Sequence, residues 1–416
     1  MLVKIFAAAV QGISATLITI EVNCSKGIKF LVVGLPDASV KESQERMISA
    51  LQFNGYKFPR KQIIINMSPA DIRKEGSAYD LPLAIGVLAA SEGLKSDVLA
   101  DYIMMGELSL DGTILPVKGV LPIAILAKES GFKGFILPDE NAKEAAVVEG
   151  LEVLGVKNIK EVVEFFNEGA EITPTFVDIN KEFLNHQSDY DFDFSDVKGQ
   201  ENVKRALEVA AAGGHNIVMI GPPGSGKSMM AKRMPSILPP FTLEEALETT
   251  KIHSVAGQIG TNTALMPQRP FRSPHHTISD VAMVGGGTYP QPGEISLAHN
   301  GVLFLDELPE FNRSVLEVMR QPLEDRRITI SRAKFTVEYP ASFMLVSAMN
   351  PCPCGYYNHP ERDCVCAPGT VQRYLNKISG PLLDRIDIHI EIVPVPFEKI
   401  SDRTAAEHSS EISKRV

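Results

Sequence analysis

The chain opens with MLVKIFAAAVQGISATLITIEV, an apolar run that breaks at Gln11 and Gly12 and then alternates, Ile18, Ile20 and Val22 facing one way and Leu17, Thr19 and Glu21 the other. A period of two predicts strand here rather than a signal peptide. Short apolar strands are predicted again at Ile28–Val33, Lys61–Asn66 and Tyr102–Leu108, mixed with helical periodicity over Val40–Asn54, Leu81–Ser91 and Pro122–Glu129. Residues 1–170 therefore read as one α+β or α/β domain. Between 171 and 195 the periodicity fades, and Pro174, Asn180, Asn185, Asp178, Asp189, Asp191 and Asp193 suggest an acidic linker. Phe183, Phe192 and Phe194 leave an ordered strap along the next domain equally open. From Asp196 the order becomes helix (Glu201–Ala212), strand (Asn216–Ile220), glycine-rich loop, helix and, later, another apolar strand (Gly301–Leu305). That order predicts a parallel sheet with crossovers over residues 196–395, in a chain of α/β class.

Bulk properties narrow the field. With 416 residues, 44% of them hydrophobic, the chain can bury more than one core. A formal charge of −10 excludes a uniformly basic surface, so any nucleic-acid contact has to be a local patch. No run of about 18 apolar residues predicts a spanning helix, and a cytoplasmic protein is expected. Of five cysteines, Cys24 stands alone and four lie between Cys352 and Cys366, which suits a reducing compartment with one local site.

The most specific motif is Gly221-Pro222-Pro223-Gly224-Ser225-Gly226-Lys227-Ser228, directly after the strand IVMI and before Met229–Met234, which can open a helix. Glycines let successive N–H groups turn inward around phosphate oxygens, Lys227 reaches the outer phosphates of ATP and Ser228 can ligate Mg²⁺. Downstream, Val302–Leu305 ends in Asp306 and Glu307: one carboxylate to hold the metal's water shell, the other to polarise the attacking water.

Three further segments carry candidate chemistry. Cys352-Pro-Cys354 and Cys364-Val-Cys366 offer four thiolates from one loop, a set suited to tetrahedral Zn²⁺; His359 is an alternative ligand, and a disulfide pair or free thiols stay open. His275 and His276 form a possible ligand pair without a carboxylate at defined spacing. The stretch around Arg326, Arg327, Arg332 and Lys334 alternates on both sides of a turn and predicts a hairpin with a basic base and tip.

Asp196-Val-Lys-Gly-Gln200, the phosphate loop, LFLDE and Ser347-Ala-Met-Asn350 together resemble the AAA+ ATPases. The resemblance implies that Asn350 helps orient the water and that a neighbouring subunit supplies an arginine to the γ-phosphate. Gly380-Pro-Leu-Leu-Asp-Arg385 resembles the segment that carries this arginine in the magnesium-chelatase branch, making Arg385 the candidate, with a salt bridge to Asp384 or Asp387 as the plain alternative. Arg269–Gly287 and the basic hairpin resemble that branch's helix-2 insert and pre-sensor hairpin, elements that face the pore of a ring, and the resemblance makes Arg326, Arg327, Arg332 and Lys334 candidate phosphate contacts on DNA, with a solvated basic hairpin as the alternative.

In the first domain, Arg73–Ala84 and Met105–Gly119 resemble the proteolytic domain of Lon. A Ser-Lys dyad there requires serine at Ala78 and lysine at Leu121; Ser77 and Lys118 are displaced from those places, so a degenerate protease fold acting as an assembly or protein-binding platform is expected. Together the halves resemble the bacterial ComM (YifB) family. That resemblance implies an Mg²⁺-dependent ATPase forming a homo-oligomeric ring, a hexamer, that moves on or remodels branched DNA during natural transformation. Remodelling of a protein or metal-chelatase partner, and a nucleotide-gated scaffold without turnover, are the alternatives. The helical lid of such ATPases is expected to be mostly absent, residues 396–416 forming only its start.

Overall fold

In the computed structural model the opening run folds back at Gly12, pairing β1 (Leu2–Gln11) with β2 (Ser14–Ser25) in antiparallel register, Val3 opposite Val22, Ile5 opposite Ile20 and Ala7 opposite Ile18. All six of those side chains are buried, which is the alternation predicted for this run. The structure describes residues 2–91, 93–94, 98–186, 190–260, 263–287, 290–332, 335–395 and 406–416. They form two units, Met1–Glu182 with His253–Leu265, and Phe183–Ile252 with Met266–Val416.

The first unit adds β3 (Phe30–Val33), β4 (Gln62–Ser68), β5 (Tyr102–Met104), β6 (Glu107–Leu108), β7 (Ile114–Leu115), β8 (Gly134–Pro138) and β9 (Glu152–Val156). Its main sheet runs β3-β4-β2-β1-β5-β8-β9, antiparallel around β2 and parallel elsewhere; β6 and β7 make a separate pair. The strand expected over Tyr102–Leu108 is split between β5 and β6, because the Gly106 N–H donates to Ala78 O at 2.8 Å and draws the chain out of the sheet. Helix Asp80–Ala90 is buried along its whole length, as an all-apolar helix must be. Its one charge, Asp80, is bound by Arg46 Nε at 2.6 Å, by Ser43 Oγ and by the Leu108 N–H at 3.2 Å. Helix Ala38–Phe53, which supplies Ser43 and Arg46, is N-capped by the Asp37 carboxylate accepting from the Val40 N–H.

The second unit is built on β10 (Ile217–Ile220), β11 (Phe271–Arg272), β14 (Val302–Leu305), β17 (Met344–Met349) and β18 (Ile388–Glu391), all parallel in the order β11-β14-β17-β10-β18. Strands covered on both faces read as continuous apolar runs, and IVMI, VLFL and MLVSAM do so. Two hairpins lie outside this sheet, β12 (Gly285–Gly286) with β13 (Gln291–Pro292) and β15 (Arg327–Arg332) with β16 (Phe335–Pro340). The second buries Ile328, Ile330 and Tyr339, and the Tyr339 hydroxyl donates to Pro290 O at 2.8 Å.

Within the acidic stretch 171–195, Phe194 is fully buried in the second unit's core, and Asp193 and Asp196 close a reciprocal capping box around it. Arg233 fastens the segment by donating to Asp193 O and Asp196 Oδ2, both at 2.7 Å. The terminal helix Ser409–Arg415 joins the same unit: Ser409 Oγ accepts from the Phe194 N–H, and Arg415 pairs with Glu208 at 2.9 Å. No helix of the described residues is long and apolar enough to cross a membrane.

Candidate functional site

Three adjacent strands of the parallel sheet end in polar side chains that meet. β10 runs into the loop Gly221–Ser228, β14 into Asp306 and Glu307, and β17 into Asn350, all at the carboxyl edge where such sheets bind ligands. The loop is tied to β17 by the Gly221 N–H donating to Met349 O at 3.1 Å, and a Cβ at Gly221 would meet Ile392 O at 2.6 Å. At Gly226 the backbone has φ +89, a region closed to most side chains, and helix Lys227–Ala231 starts immediately after it.

Lys227 is buried and its ammonium is fastened to Gly221 O at 2.7 Å, Pro222 O at 2.9 Å and Asn350 Oδ1 at 3.3 Å. Burial holds its pKa below the usual lysine range, opposed by the charges of Asp306 and Glu307. Ser228 Oγ donates to Asp306 Oδ2 at 2.6 Å, which joins the phosphate loop to the neighbouring carboxylate. Hydroxyl and carboxylate oxygens at this separation suit a shared hard divalent cation such as Mg²⁺, and an ammonium beside them suits phosphate oxygens.

Glu307 departs from the sheet at φ +54 and ψ +47, a left-handed conformation that costs a non-glycine residue about 1–2 kcal/mol. Its Oε2 lies 3.4 Å from His276 Nδ1, and the His276 ring packs edge-on against Phe311 and 4.1 Å from the His275 ring. The carboxylate that the histidine pair lacked in sequence is thus the acidic residue after β14. His276 contacts the candidate catalytic glutamate and was not singled out for that role by its sequence. The two belong to different loops, and no local spacing links them.

Arg385 is held within its own chain by an ion pair with Glu324, where the plain alternative had Asp384 or Asp387, and by Pro381 O. Asp387 accepts from the Asn216 N–H instead, which fixes the start of β10. In the hairpin, Arg326 donates through Nη1 to Phe343 O at 2.9 Å, and Arg327 is exposed, 3.8 Å from Glu338. Arg332 ends β15, and Lys334 lies outside the described residues.

The four cysteines converge. Their Sγ atoms all lie within 4.8 Å of one another, with separations of 3.3 Å (Cys352–Cys354), 3.8 Å (Cys352–Cys364) and 3.6 Å (Cys354–Cys364). Tetrahedral zinc with Zn–S bonds of about 2.3 Å calls for S···S near 3.8 Å, so the set fits that ion, whereas a disulfide needs about 2.05 Å. Hydrogen bonding, first from the backbone at Tyr356, brings the Cys354 thiol down to about 6, while the Cys364 and Cys366 thiols, bonded to their neighbours, lie above the usual range. His359 is engaged elsewhere, accepting from the Glu361 N–H; among the described residues neither it nor the His275–His276 pair joins a cluster of three or more metal-ligating groups.

In the first unit, Leu121 is fully buried at the place a dyad lysine requires, and its N–H donates to Glu144 Oε1 at 3.0 Å. Ser77 Oγ is bound to the Glu107 carboxylate, and the exposed Lys118 runs past Gly257.

A five-stranded parallel sheet with a phosphate loop after β10 and an acidic pair after β14 is the nucleotide-binding core of a P-loop ATPase of the AAA+ type. Residues 193–400 match the family described as magnesium chelatase, subunit ChlI, and residues 20–141 a second family described as subunit ChlI of Mg-chelatase. The chain is 45% identical to competence protein ComM of Haemophilus influenzae, covering 99% of this chain and 81% of that protein. It is 46% identical to the uncharacterized protein YifB of Escherichia coli over 98% and 79% of the two chains. Lon protease 2 of Bacillus subtilis is 33% identical over 145 residues, 34% of this chain and 26% of that protein. The chain belongs to the ComM/YifB family of magnesium-chelatase-like AAA+ ATPases.

Proposed function

We propose that this ATPase is the motor of a homo-oligomeric ring, a hexamer, that uses Mg²⁺-dependent ATP hydrolysis to move along or remodel branched DNA. The observation that carries the ATPase chemistry is the meeting of Lys227, Ser228, Asp306 and Asn350 from three strand ends. Lys227 exchanges its carbonyl partners for the outer phosphates, Ser228 and Asp306 hold Mg²⁺, and Glu307, steadied by His276, orients and deprotonates the attacking water. Asn350 fixes that water's position. Arg385 serves the site of the next subunit after giving up Glu324, and neutralises charge on the transferring phosphoryl group.

The DNA reading is supported by the sequence of the hairpin segment, which carries Arg326, Arg327, Arg332 and Lys334 in a chain of net −10. It is supported also by the name competence protein carried by the Haemophilus influenzae relative. The four cysteines hold a structural Zn²⁺, and such thiols suit a cytoplasmic, reducing setting. The first unit, with Leu121 buried and Ser77 engaged by Glu107, is a non-proteolytic platform for assembly or for a protein partner.

ATP hydrolysis by the chain, with and without a four-way DNA junction and beside Glu307→Gln, tests the proposal. Junction-stimulated turnover that disappears in Glu307→Gln is expected. Turnover indifferent to every DNA tested would remove the DNA motor and leave a protein or chelatase-type client as the leading reading.

A further inference from the structure

The segment from Pro351 to Gly369 contains no helix or strand, and among its side chains Cys352 is fully buried while Val365 is 83% exposed. A loop of that length without apolar packing of its own needs another source of order. At the cysteine cluster the two ends of the loop converge.

What the loop touches gives that order a function. Cys352 follows Asn350 by two residues, and Asn350 Oδ1 accepts from Lys227 Nζ at 3.3 Å. The Cys352 carbonyl accepts from the Gly355 N–H at 3.0 Å, closing a turn in which Gly355 has φ +85. That turn lies directly on the phosphate loop: a Cβ at Gly355 would meet Pro223 Cδ at 2.5 Å. Gly221, Pro222, Gly355, His359, Glu391 and Ile392 then bound one open groove beside the phosphate loop. The cysteine loop is therefore a wall standing against the phosphate loop.

We infer that one zinc ion on Cys352, Cys354, Cys364 and Cys366 positions this wall, and through it Asn350 and the phosphate loop, so that nucleotide affinity and turnover depend on the metal. The inference rests on the zinc and ATP-site readings above. The cysteines are positioning residues; none of them touches the nucleotide.

The experiment uses the chain as purified, with metal analysis, the affinity for a fluorescent ATP analogue with Mg²⁺ restored, and steady-state hydrolysis. Each is measured before and after removal of zinc by a zinc-selective chelator, and again after zinc is returned. About one zinc per chain is expected, with stripping weakening analogue affinity roughly tenfold and lowering kcat, and zinc restoring both. Gly355→Ala, which leaves all four thiols in place, is expected to retain zinc yet bind the analogue several-fold more weakly. Lys227→Ala is expected to retain zinc and lose nucleotide.

A chain that carries no zinc and takes none up removes the metal site and the coupling with it. Zinc that is bound, with affinity and turnover unchanged on stripping and in Gly355→Ala, leaves the metal site standing and overturns the coupling. If stripping unfolds the unit, as a melting curve reads, Gly355→Ala alone decides: wild-type affinity with zinc retained overturns the coupling.

Discussion

Asp80 in the first unit and Lys227 in the second are both buried charges, yet they are kept in different ways. Asp80 is saturated by Arg46, Ser43 and the Leu108 N–H, partners fixed on one helix and one strand. Lys227 leans on two carbonyls of its own loop and on one amide oxygen, and phosphate oxygens can take the place of all three. A buried charge whose partners belong to the rigid framework holds the fold together. One whose partners are exchangeable marks a ligand site. The same contrast separates the Lon-like surface, where a buried leucine stands at the lysine position, from the ATPase surface, where each polar residue of the motif meets another.

The contrast breaks most visibly if Lys227 proves structural. Lys227→Ala is expected to lower hydrolysis roughly 10³-fold, about 4 kcal/mol of transition-state stabilisation, with a melting temperature close to that of the parent chain. A melting loss as large as that of an Asp80 variant would show that the lysine is part of the framework.

Asp80→Ala leaves Arg46 without its carboxylate and is expected to cost about 3 kcal/mol in urea unfolding. Phosphate-loop chemistry in the folded fraction should be unaltered. A loss below about 1 kcal/mol would mean that solvent already satisfies the pair.

His276→Ala sharpens the comparison within the ATP site. Freed of its 3.4 Å neighbour, Glu307 is expected to lose about tenfold in kcat while KM stays unchanged. A matching rise in KM with constant kcat would assign His276 to nucleotide binding instead.

The smallest effect lies in the first unit and is read by pH. Burial raises Glu75 to about 7, with Arg73 opposing and Asp37 reinforcing the shift. A carboxyl whose pKa is higher in the folded chain than in the unfolded one favours folding while protonated. That stability is complete below the ordinary value near 4.5 and declines as pH rises through 7. Glu75→Gln is expected to flatten the fall in melting temperature between pH 5 and pH 8; an unchanged slope would assign the pH dependence to another group.

The phosphate loop, the acidic strand end and the strand alternation of β1 and β2 were legible in the chain because each depends on neighbours along the backbone. Gly221–Ser228 is a local conformational requirement, a run such as VLFL ending in Asp306 and Glu307 is the mark of a strand covered on both faces, and a period of two states which side is buried. The four cysteines were legible for the same reason, their pairs being two residues apart.

Contacts between distant segments were not. Arg385 pairs with Glu324, 61 positions away in sequence, and not with the aspartates beside it. Glu144 binds the Ser254 hydroxyl, and residues His253–Leu265 belong with the first unit although the phosphate loop precedes them. His276 reaches Glu307, and Gly355 rests on Pro223. Backbone periodicity and motif spacing carry the chemistry a segment can perform. Which segment it performs it with follows from how strands are ordered and helices laid over them, a long-range packing outcome that leaves no period in the chain.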